Sequence, residues 1–492
     1  MAQLKTPAIM LQGTGSDVGK SLLLAGLCRI FARRGLKVRP FKPQNMSNNA
    51  AVTVDGGEVG RAQALQARAC GVPLTTDMNP VLLKPQSEVG SQVIVQGRIH
   101  GTFQARDYGR EKPNLMPFVA ESFERLAAEA DLVLVEGAGS PAEVNLRAGD
   151  IANMGFAEAM SVPVILVGDI DRGGVIASLV GTAALLPPSE RERIKGFIIN
   201  KFRGDLTLFD EGVRIIQEKS GFEPLGTVPH FDAARRLPAE DAVAMDHQRP
   251  VSPDAPIRIA VPALARIANF DDFDPLMAEA DVQLDFIKAG QALPGDADLV
   301  ILPGSKATMA DLRFFYAQGW DIDLKAHLRR GGMVLGICGG YQMLGTTIVD
   351  PDGIEGPPGE MRGLGLLDLD TVLGGEKKLV EVTGKDNLGN HPIQGYEMHV
   401  GITTGGDRQR PFLQIDDKEE GAISADGKIQ GCYLHGLFQS DTFRHFYLSL
   451  LKDREESGLV FDAQVEAVLD LWADHLAHHL SIERIEALAR AR

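Results

Sequence analysis

Apolar positions in this chain gather into short unbroken runs, each closed by glycine or a polar side chain, and the runs are separated by stretches with helical spacing. Residues 8–13, 38–43, 132–135, 164–168, 194–201 and 225–229 are such runs in the first half. Continuous apolar strands with polar residues at their C-terminal ends fit a parallel sheet covered on both faces. After residue 21 the spacing changes to that of a helix, with Leu23, Leu27, Ile30 and Phe31 on one face and Gly35 as the stop. Residues 246–256 hold three prolines among polar neighbours and read as a linker. A second set of runs follows at 257–262, 297–302, 333–337, 363–367, 394–400 and 428–434. Beyond about residue 445 the pattern is helical, with Val465, Val468, Leu469, Trp472 and Leu476 in one stripe. The pattern predicts an α/β protein: a parallel-sheet domain over 1–245, the linker, a second α/β domain over 257–445, and a helical extension over 446–492. The stretch from Gln44 to Arg110 is polar and reads as a long functional loop.

The first predicted strand runs into Gly13-Thr-Gly-Ser-Asp-Val-Gly-Lys-Ser21 and then into a helix. Strand, glycine-rich loop ending in Gly-Lys-Ser, and helix is the context of a phosphate-binding loop. Thr14 stands where the strict pattern has its first glycine. Backbone N–H groups of Thr14, Gly15, Asp17, Val18 and Gly19 are placed to cradle the phosphates of ATP. Lys20 would reach the β/γ-phosphates, and Ser21 would bind Mg²⁺. Glu136, at the end of the 132–135 run, is the expected second oxygen for that metal; a merely solvated carboxylate is the plain alternative. Lys42, Arg61, Lys84, Arg98, Arg106 and Arg110 are the cations of the polar stretch. As a set they suit a polycarboxylate, with Lys42 and Lys84 as candidate substrate-binding residues.

In the second half, Met333–Ile337 ends in Gly-Ile-Cys-Gly-Gly340 and a helical pattern resumes at Tyr341. This is the layout of a nucleophile elbow, with Gly336 and Gly340 two residues on either side of Cys338. A cysteine at a helix N-terminus lies in a positive field that favours thiolate; a buried structural cysteine is the alternative reading. His435, at the end of the last run, supplies a base. Backbone N–H groups near Gly304 and Gly339 would receive an oxyanion. Cys432 reads as core. His475, His478 and His479 read as helix residues, since no acidic or thiol partner stands at a metal-binding spacing.

The formal charge of −16 argues against nucleic acid as the partner but not against an anionic small molecule. Four scattered cysteines and the lack of a signal-like start or long apolar span suit a reducing, cytoplasmic setting away from membranes.

Gly-Thr-Gly-Ser-Asp-Val-Gly-Lys-Ser, Val-Glu-Gly-Ala-Gly and Pro-Val-Ile-Leu-Val resemble the dethiobiotin synthetase group of P-loop enzymes, which phosphorylate a carboxylate-like group with ATP. That resemblance implies that Asn200 reads the adenine beside Val228-Pro229. It also puts Arg61 where the group has a metal-binding aspartate, with Asp55 or Glu58 as substitutes. The Cys338 half resembles class I glutamine amidotransferases, which release ammonia from glutamine through a γ-glutamyl thioester. Those carry Glu two residues after the histidine, where this chain has Leu437; Glu397 or a plain Cys–His dyad are the options. The pair of halves, with Phe41-Lys-Pro-Gln-Asn-Met-Ser-Asn-Asn-Ala50, Gly60-Arg-Ala-Gln-Ala-Leu-Gln66, Asp77-Met-Asn-Pro-Val-Leu-Leu-Lys-Pro85 and Gly90-Ser-Gln-Val-Ile-Val-Gln-Gly97, resembles the cobyric acid synthase family. The resemblance implies ATP- and glutamine-dependent amidation of the b, d, e and g carboxylates of a corrinoid a,c-diamide. Because free ammonia is mostly ammonium at neutral pH, the two centres are expected to communicate, by a channel or by close docking. The cobyrinic acid a,c-diamide synthases are the nearest alternative, but their Gly-Pro-Asp-Tyr type segment is absent. A ParA/MinD-like ATPase switch is the other; it carries an extra lysine where this chain has Gly13-Thr14-Gly15.

Overall fold

The computed structural model describes residues 6–85, 90–238, 255–375 and 377–491. The chain forms two compact units: Met1–Ser47, Thr53–Leu237 and Val465–Arg492 in the first, Asn48–Val52 and Pro238–Gln464 in the second. The expected linker lies outside the described residues as far as residue 254.

The first unit is built on strands β1 (Ala8–Gly13), β2 (Val38–Phe41), β3 (Leu132–Glu136), β4 (Val164–Asp169), β5 (Ile194–Phe202) and β6 (Glu223–Pro229). They lie in the order β6-β5-β4-β1-β3-β2, and every pair is parallel. Central strands such as β1 and β4 are buried along their whole length, which is why their sequences are unbroken apolar runs. Helix α1 (Lys20–Arg33) follows β1 and helix α2 (Arg61–Cys70) packs against it.

Two expectations change here. The polar stretch from Gln44 is not a long loop. Gln44–Met46, Val81–Pro85, Gly90–Val95 and Arg98–Gln104 form a four-stranded sheet, because Val81, Leu82, Leu83, Val93 and Ile94 bury their side chains between the polar residues. The C-terminal residues are not set apart either. Val465–Arg492 belongs to the first unit, where the stripe of Val465, Leu469, Trp472 and Leu476 is buried. The Trp472 indole N–H donates to the carbonyl of Leu22 on α1 at 2.7 Å. Arg29 binds Asp470 and Glu466, and His475 Nε2 donates to Pro229 O at 3.1 Å. The last helices therefore clamp the P-loop helix and the end of β6.

Gly26 is what allows that clamp. A Cβ there would stand 2.4 Å from Leu476 and 2.7 Å from the Trp472 indole nitrogen. Gly26→Ala gains about 1 kcal/mol of helix propensity. It also forces apart a tryptophan fixed by its own hydrogen bond, and overpacking costs about 1–3 kcal/mol. We expect net destabilisation of the first unit, read as a lower thermal midpoint.

The second unit has β7 (Ile257–Pro262), β8 (Val282–Ile287), β9 (Leu299–Leu302), β10 (Met333–Ile337), β11 (Ala422–Ile423) and β12 (Ile429–Cys432). Their order is β8-β7-β9-β10-β12-β11, parallel except for the β11 edge. Helix α3 (Gly339–Leu344) follows β10. The run at 363–367 is not a strand. The N–H groups of Leu364, Leu366 and Leu367 bond the carbonyls of Met343 and Leu344, so this apolar segment caps the end of α3. A five-stranded antiparallel sheet that includes Lys378–Asp386, Pro392–His399 and Leu434–His435 brings the histidine to the elbow. Among the described residues no helix is long and apolar enough to cross a membrane.

Candidate functional site

Each unit carries a cluster of chemistry-bearing residues at the C-terminal ends of its parallel strands, the side on which open α/β sheets bind ligands.

In the first unit Gly19 (φ 91°) turns the loop into α1. No other residue fits there, because a Cβ would lie 2.4 Å from Asn200 Nδ2 and the positive φ favours glycine. Lys20 Nζ donates to the carbonyls of Gly15 and Gly139, both at 3.2 Å. It thereby spans the loop where phosphates would displace those contacts. Ser21 Oγ donates to Glu136 Oε1 at 2.7 Å, Lys42 Nζ meets the same oxygen at 2.8 Å, and Gln66 Nε2 donates to Glu136 Oε2 at 2.7 Å. Ser21, Glu136 and Lys42 are thus brought together as the sequence suggested, and Gln66 joins them unannounced. Its signal was the Gly60-Arg-Ala-Gln-Ala-Leu-Gln66 spacing, which puts Gln63 and Gln66 on one face of α2.

Other expected residues have different neighbours. The Thr14 N–H is committed to the Val167 carbonyl at 2.9 Å. Asp17 meets Arg172 at 3.3 Å, and its carbonyl accepts from Lys201. Val18 is buried, and its carbonyl accepts from Asn200 Nδ2 at 2.9 Å. In this geometry Asn200 braces the loop with the amide nitrogen that adenine reading would need. Lys84 pairs with Glu58 at 2.7 Å, and both are buried. Asp55 accepts from the backbone and hydroxyl of Thr76 and caps a turn.

In the second unit β10 stops at Cys338, whose backbone (φ 53°, ψ −110°) is held in a region side chains avoid. Such strain is found where a nucleophile must stand clear of a strand end. The flanking glycines have specific reasons: a Cβ on Gly340 would meet the Leu302 carbonyl at 2.1 Å, and one on Gly336 the Gly340 carbonyl at 2.7 Å. Gly304 and Gly339 lie at the same place. A Cβ on Gly304 would be 3.0 Å from the His435 ring, and one on Gly339 would be 2.9 Å from the Ser305 nitrogen.

His435 is buried beside Cys338, whose thiol donates to the Met398 carbonyl at 3.5 Å. Its Nδ1–H donates to Asp272 Oδ2 at 2.8 Å, while Asp272 Oδ1 accepts the Gly436 N–H at 2.6 Å. Burial alone would lower the imidazole pKa. The Asp272 charge, then Cys338, outweigh it and raise the ring to about 10. A thiol beside such an imidazole can transfer its proton and attack a carbonyl. Asp272 thus stands where an orienting acid would, a place for which the family resemblance finds Leu437 and leaves Glu397 or a plain Cys–His dyad as the options. Glu397 pairs with Lys378 instead and sits opposite Leu434. The overlooked signal was Asp271-Asp272 enclosed by Phe270 and Phe273, two acids kept inside an apolar segment. His399 stacks on Tyr433, and burial followed by the Lys378 charge lowers it to about 3, so it stays neutral. Burial pushes the Cys432 thiol well up, in keeping with a core residue.

Residues 9–243 match the CobQ/CobB/MinD/ParA nucleotide binding domain, and residues 258–443 match the CobB/CobQ-like glutamine amidotransferase domain. The first match covers synthetases and ATPase switches alike. Full-length relatives separate them. Cobyric acid synthases of Cereibacter sphaeroides, Methylorubrum populi and Bradyrhizobium diazoefficiens are 60%, 60% and 59% identical, with 98–99% of this chain and 99–100% of each relative aligned. The chain belongs to the cobyric acid synthase family. As a member it is an ATP- and glutamine-dependent amide synthetase, and the ParA/MinD-like and a,c-diamide alternatives are not favoured. Both family domains end before Val465, so the helices that clamp the P-loop lie outside either match.

Proposed function

We propose that the enzyme converts adenosylcobyrinic acid a,c-diamide to adenosylcobyric acid by amidating the b, d, e and g carboxylates, with one ATP and one glutamine per amide. The observation that carries this reading is the pairing, in one chain, of the Ser21–Glu136–Lys42 cluster with the Cys338–His435–Asp272 array.

A carboxylate is a poor electrophile, and phosphorylation gives it a leaving group. Lys20 and the loop N–H groups would hold the β- and γ-phosphates, and Lys42 would draw the acceptor carboxylate toward them by charge. Ser21 Oγ and Glu136 Oε1, 2.7 Å apart, are the oxygens that would hold Mg²⁺. Mg²⁺ would supply charge neutralisation on the transferring phosphoryl group. At the other centre Cys338 Sγ attacks the glutamine amide carbon, and the proton passes through His435 to the departing ammonia. N–H groups near Gly304 and Gly339 receive the oxyanion, and water then releases glutamate from the thioester. Ammonia attacks the acyl phosphate, expelling phosphate.

Mass spectrometry of the corrinoid after incubation with ATP, Mg²⁺ and glutamine tests the assignment. Four successive acid-to-amide steps starting from the a,c-diamide are expected. Two steps from cobyrinic acid, ending at the a,c-diamide, would overturn it.

A further inference from the structure

A segment that precedes the amidotransferase sequence by two hundred residues is built into the second unit. Asn48–Val52 belongs to that unit, although the chain before Ser47 and after Thr53 belongs to the first. Within the second unit the Ala50 carbonyl accepts from Asn269 Nδ2 at 3.1 Å, and the same nitrogen donates to the Tyr396 hydroxyl at 2.7 Å. All three residues are buried.

Tyr396 and Asn269 both adjoin the catalytic array. The Tyr396 ring is stacked on the His435 ring, with centroids 5.2 Å apart and planes 18° apart, and its hydroxyl lies 3.4 Å from the Asp271 carboxylate. Asn269 (φ 55°) opens the short turn Phe270–Phe273 that carries Asp272. Asparagine is one of the few side chains that tolerate this left-handed conformation, and here its amide also bridges Ala50 and Tyr396. One buried side chain therefore sets both the face of His435 and the turn of its orienting acid, and takes its own bearing from Ala50.

The flanks of Asn48–Val52 lead to the nucleotide cluster. Lys42 holds Glu136 at 2.8 Å. Asn45 Nδ2 donates to Gln63 Oε1 at 3.4 Å, Gln63 reaches Gln66 at 3.5 Å, and Gln66 donates to Glu136 at 2.7 Å. This row of buried amides ends three residues before Asn48. Phosphates and Mg²⁺ arriving at Ser21 and Glu136 must replace protein partners of Glu136, which re-sets the row and the chain that continues from it.

We propose that Asn269 and Tyr396 are positioning residues of the His435–Asp272 pair, and that seating of Asn48–Val52 on Asn269 makes glutamine hydrolysis conditional on a loaded ATP site. The inference rests on the proposed amide synthetase chemistry. It extends that chemistry by naming the segment through which one centre governs the other; a segment with two arrangements, biased from both ends, is what such coupling requires.

Full-length Asn269→Gly and Tyr396→Phe test it. The first keeps the backbone conformation and deletes the bridging amide; the second keeps the stacked ring and deletes the hydroxyl. Glutamate release is measured with and without ATP and the corrinoid acceptor, beside amidation driven by ammonium. In the wild type the ligands are expected to raise the rate of glutamate release about tenfold. In both variants that ratio falls toward one while ammonium-driven amidation stays at the wild-type rate. A merely structural role would lower both rates and leave the ratio intact, and that result overturns the proposal. So does a wild-type chain whose glutamine hydrolysis is indifferent to ATP and acceptor. Absence of ammonium-driven amidation in the wild type would instead sink the synthetase chemistry on which the proposal rests.

Discussion

Cys338→Ala lowers glutamine-driven amidation by roughly 10³-fold or more, the scale seen when a covalent nucleophile is removed, and leaves ammonium-driven amidation at the wild-type rate. The split follows from where the cysteine stands. Its sulfur sits at the end of β10, in the second unit, against His435. Nothing it does concerns the phosphoryl group, which is handled around Lys20, Ser21 and Glu136 in the first unit. Alanine keeps the apolar volume of the elbow and deletes the atom that forms the thioester. Product mass spectra with glutamine and then with ammonium as nitrogen source check both halves of the expectation. Loss with both sources would mean that the substitution had damaged the synthetase as well, and that the division of labour between the units is wrong.

Asp272→Asn is the second large effect, a fall in glutamine hydrolysis of roughly 10³–10⁴-fold on the pattern of other histidine-orienting acids. The carboxylate accepts from His435 Nδ1 and from the Gly436 N–H. Asparagine has one acceptor oxygen for these two donors, and its amide turned toward Nδ1 would favour the wrong tautomer. The lost charge also lets burial dominate, so the imidazole pKa falls from its raised value. That raised value links the site to stability. A folded-state pKa lifted from 6.5 to about 10 gives stabilisation that is complete below the ordinary imidazole range and lost as pH rises through the folded value. Steady-state glutaminase assays and thermal unfolding between neutral and alkaline pH read the two consequences together. Near wild-type hydrolysis by Asp272→Asn would mean that Cys338 and His435 act as an unassisted dyad.

What the sequence made legible was what short-range chemistry dictates. Gly19-Lys20-Ser21 after an apolar run, and Gly336-Ile-Cys-Gly-Gly340 after another, announce their turns because only certain residues fit them. Glu136 and His435 followed from their places at strand ends. Asp272 did not, because it lies 66 positions before Cys338 and reaches His435 only through the fold. The same holds for the Gln44–Gln104 sheet, whose apolar residues are diluted by glycines, glutamines and asparagines. The 363–367 run misled for a different reason. Its leucines are buried, but against the end of α3, where backbone partners come from a helix terminus and not from a neighbouring strand.

The clamp of Trp472, Asp470 and His475 on the P-loop unit has a consequence for how the protein is made. The ribosome makes Trp472, the side chain that secures α1 at Leu22, 450 residues after that partner. The first unit therefore lacks its clamp while residues 238–464 of the second are synthesised. A message cut short anywhere before Val465 yields a P-loop without its clamp.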